Sequence, residues 1–115
     1  GVDFSEIEDT VALMLMEMAR TETEPRSERL ADALVEGLFL ATGSTYKTPR
    51  MMAAFSVLKA PDIPSVLVEL GFLSSQVDRD RLIDPDWRAR AAVGLREALL
   101  GWAVEDAERA QRLRR

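Results

Sequence analysis

The sequence predicts an α/β fold, helix-rich with few strands, on three observations. Ser65 to Val68 runs apolar or small without alternation, the pattern of a strand buried on both faces of a parallel sheet. Ala53 to Leu58 alternates, with Phe55 and Val57 on one face and Ser56 and Leu58 on the other, which reads as a second strand. On either side of these, apolar residues recur at helical spacing. With 115 residues and 47% apolar content, the chain suffices for one compact domain and is too short for two.

Taken in order, Gly1 to Thr21 reads as an acidic cap and an apolar helix. Ser5-Glu6-Ile7-Glu8 fits a capping box, and Ile7, Val11, Met14, Leu15 and Met18 share a face that Leu13 and Met16 widen. Such a face is either packed into a core or offered to a partner, and the three methionines Met14, Met16 and Met18 suit both roles. A break is expected from Arg20 to Pro25, with Pro25 in the first turn of a second helix. Leu30, Leu34 and Leu38, with Val35 beside them, line the inner face of that helix. Arg26, Glu28, Arg29, Asp32 and Glu36 mark its wet side, and Gly43 ends it.

A polar loop, Ser44 to Arg50, leads to the first expected strand, and a turn with two prolines, Ala60 to Pro64, leads to the second. That connection is too short for a helical crossover, so the two strands pair antiparallel or are not neighbours. Ser75 caps a short helix, Gln76 to Leu82. Asp84 caps, and Pro85 opens, a last helix whose Trp87, Ala91, Leu95, Ala98 and Trp102 form a long apolar face suited to lying across a sheet. The arginine-rich end, Arg112 to Arg115, reads as a solvated helix terminus.

Composition excludes several function classes. A formal net charge of -5 and a pI near 4.8 argue against a nucleic-acid or anionic-lipid surface. The absence of Cys rules out disulfides and thiolate catalysis without fixing a compartment. With no His either, the chain holds no imidazole base, no Ser-His triad and no ordinary zinc ligand set. No apolar run approaches the ~20 residues that span a bilayer, and no secretory signal pattern opens the chain.

Glu69 is the candidate for chemistry. It ends the apolar run just before Gly71, at the sheet edge where α/β folds place their ligands, and a carboxylate there is costly unless paired or used. Spacing alone favours a Glu that merely pairs with an Arg or hydrogen-bonds a loop, since buried carboxylates usually are paired. The wording goes further. Val57-Leu58-Lys59, then Ile63-Pro64-Ser65-Val66-Leu67-Val68-Glu69 and Gly71-Phe72-Leu73-Ser74, closely resembles the last third of the zinc-dependent N-acetylmuramoyl-L-alanine amidases, the family 3 cell-wall amidases. The family phrase ends in Asn where this chain has Ser75, a substitution the helix start tolerates.

The resemblance implies the C-terminal part of a three-layer zinc-amidase fold, in which Glu69 is the catalytic glutamate working beside the zinc. The family's zinc ligands, two His and a Glu, lie in motifs that this chain lacks, so it is expected to be a fragment without metal ligands and inactive by itself. It implies hydrolysis of the amide between N-acetylmuramic acid and L-alanine in periplasmic peptidoglycan, during cell-wall turnover and daughter-cell separation.

Cell-division members carry a helical insertion that blocks the active site until an activator, typically with a LytM-type domain, moves it. Residues 1–40 take the place of that insertion, and residues 51–115 that of the core strands and C-terminal helix. Among Glu17, Glu22, Glu24 and Glu28, Glu24 is the candidate for an autoinhibitory contact with the zinc, against the alternative of a solvated acidic turn. The rival function is a non-catalytic regulatory fragment that binds an amidase activator.

Overall fold

The computed structural model describes residues 4–46, 49 and 62–114, with first-helix side chains described at Val11, Met14 and from Thr23 onward. Three helices follow in order: α1 (Phe4–Thr42), α2 (Gln76–Leu82) and α3 (Pro85–Leu113). No strand occurs among the described residues, and the strand expected at Ala53–Leu58 lies outside them. Packing of α3 along α1 is the main tertiary interaction, and α2 rests against α3. The result is elongated. Its extents are 64 × 40 × 21 Å and its radius of gyration is 18.5 Å, against about 13 Å for a globular chain of this length.

The expected pair of N-terminal helices is a single helix of 39 residues with Pro25 inside it. Proline at this position removes the N–H that would bond the Thr21 carbonyl and crowds the preceding turn, at a cost of about 3 kcal/mol. Tertiary contacts around the proline offset that cost. Thr23 and Leu30, on either side of it, are both buried. Arg26 forms a two-pronged ion pair with Asp106 of α3, Nε to Oδ1 at 2.9 Å and Nη2 to Oδ2 at 2.8 Å. The Trp102 indole N–H donates to the Arg26 carbonyl at 3.1 Å. A local break signal has been overruled by packing along the whole face, and Arg26, expected on the wet side, is half-buried in that contact.

The C-terminus of α1 ends as predicted. Gly43 adopts φ 81°, its N–H returns to the Phe39 carbonyl at 2.8 Å, and the Thr42 hydroxyl donates to the Leu38 carbonyl at 2.7 Å. Leu30 and Leu34 of α1 and Trp87 and Ala91 of α3 form the buried apolar core. Among the described residues, the apolar face of α3 therefore lies on a helix, where a sheet was expected.

Glycines permit this approach. A Cβ on Gly37 would lie 2.7 Å from the Gly94 carbonyl oxygen and 2.8 Å from the Ala98 Cβ, and one on Gly94 would lie 2.6 Å from the Gly37 oxygen and 2.7 Å from the Ala41 Cβ. The two backbones touch where no side chain intervenes. With Arg26 opposite Asp106 and Gly37 opposite Gly94, the pair is antiparallel. Because α3 ends seven residues past Asp106, at Leu113, the N-terminal part of α1 extends beyond it.

Both C-terminal helices start at the predicted caps. The Ser75 hydroxyl accepts from the Asp78 N–H at 3.3 Å, and the Asp84 carboxylate accepts from the Asp86 N–H at 3.0 Å, with Pro85 in the first turn of α3.

Candidate functional site

The segment that leads to Glu69 is extended but is not a buried strand. Ser65 and Val66 are half-buried, Leu67, Val68 and Leu70 are exposed, and no ladder partner lies beside them among the described residues. The expectation of burial on both faces is thus corrected. A run like this is buried only when strands flank it and layers cover it, and helices packed on one another supply neither.

Anchors at each end hold the segment. The Ser65 N–H donates to the Ser27 hydroxyl of α1 at 3.0 Å. Downstream, Phe72 is fixed through both its backbone groups: its N–H donates to Asp78 Oδ2 at 2.9 Å, and its carbonyl accepts from the Ser75 N–H at 3.0 Å. Arg79 closes the turn, donating from Nη1 to the Leu73 carbonyl at 2.6 Å and from Nη2 to Gln76 Oε1 at 2.7 Å. The Phe72 ring meets Tyr46 edge-on, centroids 5.3 Å apart.

Glu69 sits between the anchors, exposed and with no hydrogen bond or ion pair among the described residues. For the paired-carboxylate alternative, the described residues supply no partner. This carboxylate is available to accept a proton from, or hydrogen-bond to, an incoming molecule.

Glu24 is exposed on α1, one turn N-terminal to Ser27. The Ser27–Ser65 bond thus brings the start of the Glu69 segment to the part of α1 that carries Glu24, although no contact joins the two glutamates. Glu28 is also exposed, while the side chains of Glu17 and Glu22 lie outside the described set. The described residues contain no group of three or more His, Cys, Asp or Glu able to hold a metal, and the chain has no His or Cys at all. They do not fit a zinc site.

Ser27, Asp78 and the Arg26–Asp106 pair carry weight that sequence reading did not assign them. A signal existed for Asp78, which follows the Ser75 cap at capping-box spacing with Gly71 upstream. Gly37 and Gly94, in mid-helix, were equally visible as sites with a packing reason to be glycine. Nothing in the sequence pairs residues 26 and 106.

Electrostatics reinforce that pair. The hydrogen bonds from Arg26 hold the Asp106 carboxyl below its usual range against the opposing effect of burial, with Arg29 and Arg109 adding attraction. The Arg26 guanidinium is pushed up by the same contact.

Together these contacts make an extended segment that carries Glu69 between an anchor on α1 and an anchor on α2, with no partner for its carboxylate among the described residues. The chain belongs to the N-acetylmuramoyl-L-alanine amidase family, amidase family 3, whose profile matches residues 6–100.

Among curated relatives, it is 35% identical over 78 residues to the N-acetylmuramoyl-L-alanine amidase AmiC of Neisseria meningitidis serogroup B, covering 68% of this chain and 18% of that protein. It is 44% identical over 50 residues to the probable N-acetylmuramoyl-L-alanine amidase AmiB of Haemophilus influenzae, 44% of this chain and 12% of the relative. A third relative, an uncharacterized cell wall amidase of Bacillus anthracis, is 41% identical over 46 residues, 40% of this chain and 9% of its own length. The matched stretches thus span less than a fifth of each relative. No solved structure matches the chain significantly. Among the described residues no helix is long and apolar enough to cross a membrane.

Proposed function

We propose that this chain is the glutamate-bearing part of a peptidoglycan hydrolase that cleaves the amide between N-acetylmuramic acid and the L-alanine of the stem peptide. The observation that carries this is Glu69, exposed and without a partner among the described residues, between the two anchors of an extended segment inside the region that matches the family. Glu69 accepts the proton of the attacking water and passes it to the leaving amine, the work of a general base that then acts as an acid. The zinc that the family resemblance implies takes its ligands from outside this chain, whose residues do not form such a site. On this proposal, residues 51–115 belong to the core of a three-layer α/β domain, in which neighbouring strands and a covering layer complete the burial of Ser65 to Val68. The isolated chain is inactive, and the complete enzyme works in the periplasm in cell-wall turnover and daughter-cell separation.

A regulatory role for residues 1–40 has its own support. The part of α1 that outruns α3 exposes Val11 by 49% and Met14 by 61%, against the core-packing alternative at those two positions. An activator with a LytM-type domain is the proposed partner for this face, and Glu24 the proposed autoinhibitory glutamate.

Dye release from labelled peptidoglycan by the full-length amidase tests the assignment of Glu69. Glu69→Gln is expected to abolish release while zinc content and melting temperature stay unchanged, because the side chain is exposed and has no partner among the described residues. Retained turnover would remove Glu69 from the mechanism.

A further inference from the structure

We propose that Asp78 is the positioning residue that sets the reach of Glu69, an inference that rests on Glu69 being the base. Two residues, Leu70 and Gly71, separate Glu69 from Phe72, and neither makes a backbone hydrogen bond among the described residues. The first fixed point downstream of Glu69 is therefore the Phe72 N–H on Asp78 Oδ2, at 2.9 Å. Asp78 also presses on the main chain. A Cβ built on Gly71 would lie 3.1 Å from the Asp78 Cβ and 3.3 Å from its Cγ, so the side chain packs against the backbone two residues past Glu69.

Asp78 is itself held. Its N–H bonds the Ser75 hydroxyl at 3.3 Å, the Ser75 N–H returns to the Phe72 carbonyl at 3.0 Å, and Arg81 stands 3.9 Å from Oδ1. These contacts close a small ring, Phe72 to Asp78 to Ser75 and back to Phe72. Upstream, the matching fixed point is Ser65 on Ser27. A base must stand within about 0.5 Å of its working position, and a misplacement of about 1 Å can cost ~100-fold in rate. Asp78 supplies that precision without touching substrate.

The test pairs kinetics of the full-length amidase with amide hydrogen exchange read by NMR on the 115-residue chain. Asp78→Ala should lower kcat by about 100-fold with KM unchanged, and should speed exchange at the Phe72 amide. Asp78→Asn, whose side-chain oxygen can still accept from that N–H, should restore both.

Gly71→Ala crowds the same contact with the carboxylate intact. It should lower kcat with KM unchanged, and it serves where Asp78→Ala does not fold. Unchanged kcat in Asp78→Ala, or in Gly71→Ala where it stands in, overturns the positioning role if Glu69→Gln is inactive, and the base assignment then stands. Turnover retained by Glu69→Gln overturns the base assignment itself, a separate failure visible without any Asp78 variant.

Discussion

Gly94→Ala and Gly101→Ala add the same methyl group to the same helix, and only the second is expected to raise stability. In a helix interior alanine is favoured over glycine by about 1 kcal/mol. At Gly101 nothing lies within 4 Å of the new Cβ, so that gain is kept. At Gly94 the Cβ would stand 2.6 Å from the Gly37 carbonyl oxygen and 2.7 Å from the Ala41 Cβ. Neither neighbour can rotate away, the first being backbone and the second a methyl fixed to it.

Comfortable carbon contacts lie at about 3.5–4.0 Å, so α1 and α3 must part by roughly 1 Å at their crossing. Overpacking of that kind costs about 1–3 kcal/mol, which cancels or exceeds the propensity gain. The two variants should therefore differ by about 1–3 kcal/mol. Urea unfolding of the 115-residue chain, followed by circular dichroism and by Trp87 and Trp102 fluorescence, reads this directly. With a slope of about 1–2 kcal/mol/M, a difference of about 2 kcal/mol separates the midpoints by about 1–2 M. Equal stabilisation by the two substitutions would refute the Gly37–Gly94 crossing and the helix register built on it.

Two further outcomes follow from the same helix pair. Pro25→Ala should raise stability by up to about 3 kcal/mol, since alanine returns an N–H to the Thr21 carbonyl; no gain in urea midpoint would favour a break there. Acid should weaken the Arg26–Asp106 clamp. A carboxyl held low in the folded state contributes fully above its unfolded value of about 3.9 and loses that contribution as pH falls through the lower folded value. Asp106→Asn should flatten the fall in stability below about pH 4, by no more than about 1 kcal/mol because the guanidinium is over a third exposed. An unchanged pH profile would show the pair to be energetically idle.

How far local sequence determines structure can be followed residue by residue. Ser75, Asp84, Pro85 and Gly43 act within one or two turns of themselves, through a side-chain oxygen, a missing N–H or a positive φ, and each ends or starts a helix where the sequence predicts. The stripes Leu30–Leu34 and Trp87–Ala91 are periodic, so their burial was legible, although the partner was not: among the described residues α3 lies on a helix where a sheet was expected. Glu69 was legible by wording, and its exposure belongs to the structure.

Two features were decided only by tertiary contacts. Pro25 is a local break signal, overruled because packing on both sides of it, with Arg26 clamped to Asp106 across 80 residues, makes one continuous helix the lower state. Ser65 to Val68 is the reverse case. Its composition asks for burial on both faces, but composition cannot provide flanking strands or covering layers, and the described residues supply neither; there the segment is extended, anchored at Ser27 and Asp78. The sequence by itself determined which residues could cap, pack or accept a proton, since those properties reside in the side chains. Which of them met was decided by the fold, because a contact needs two surfaces.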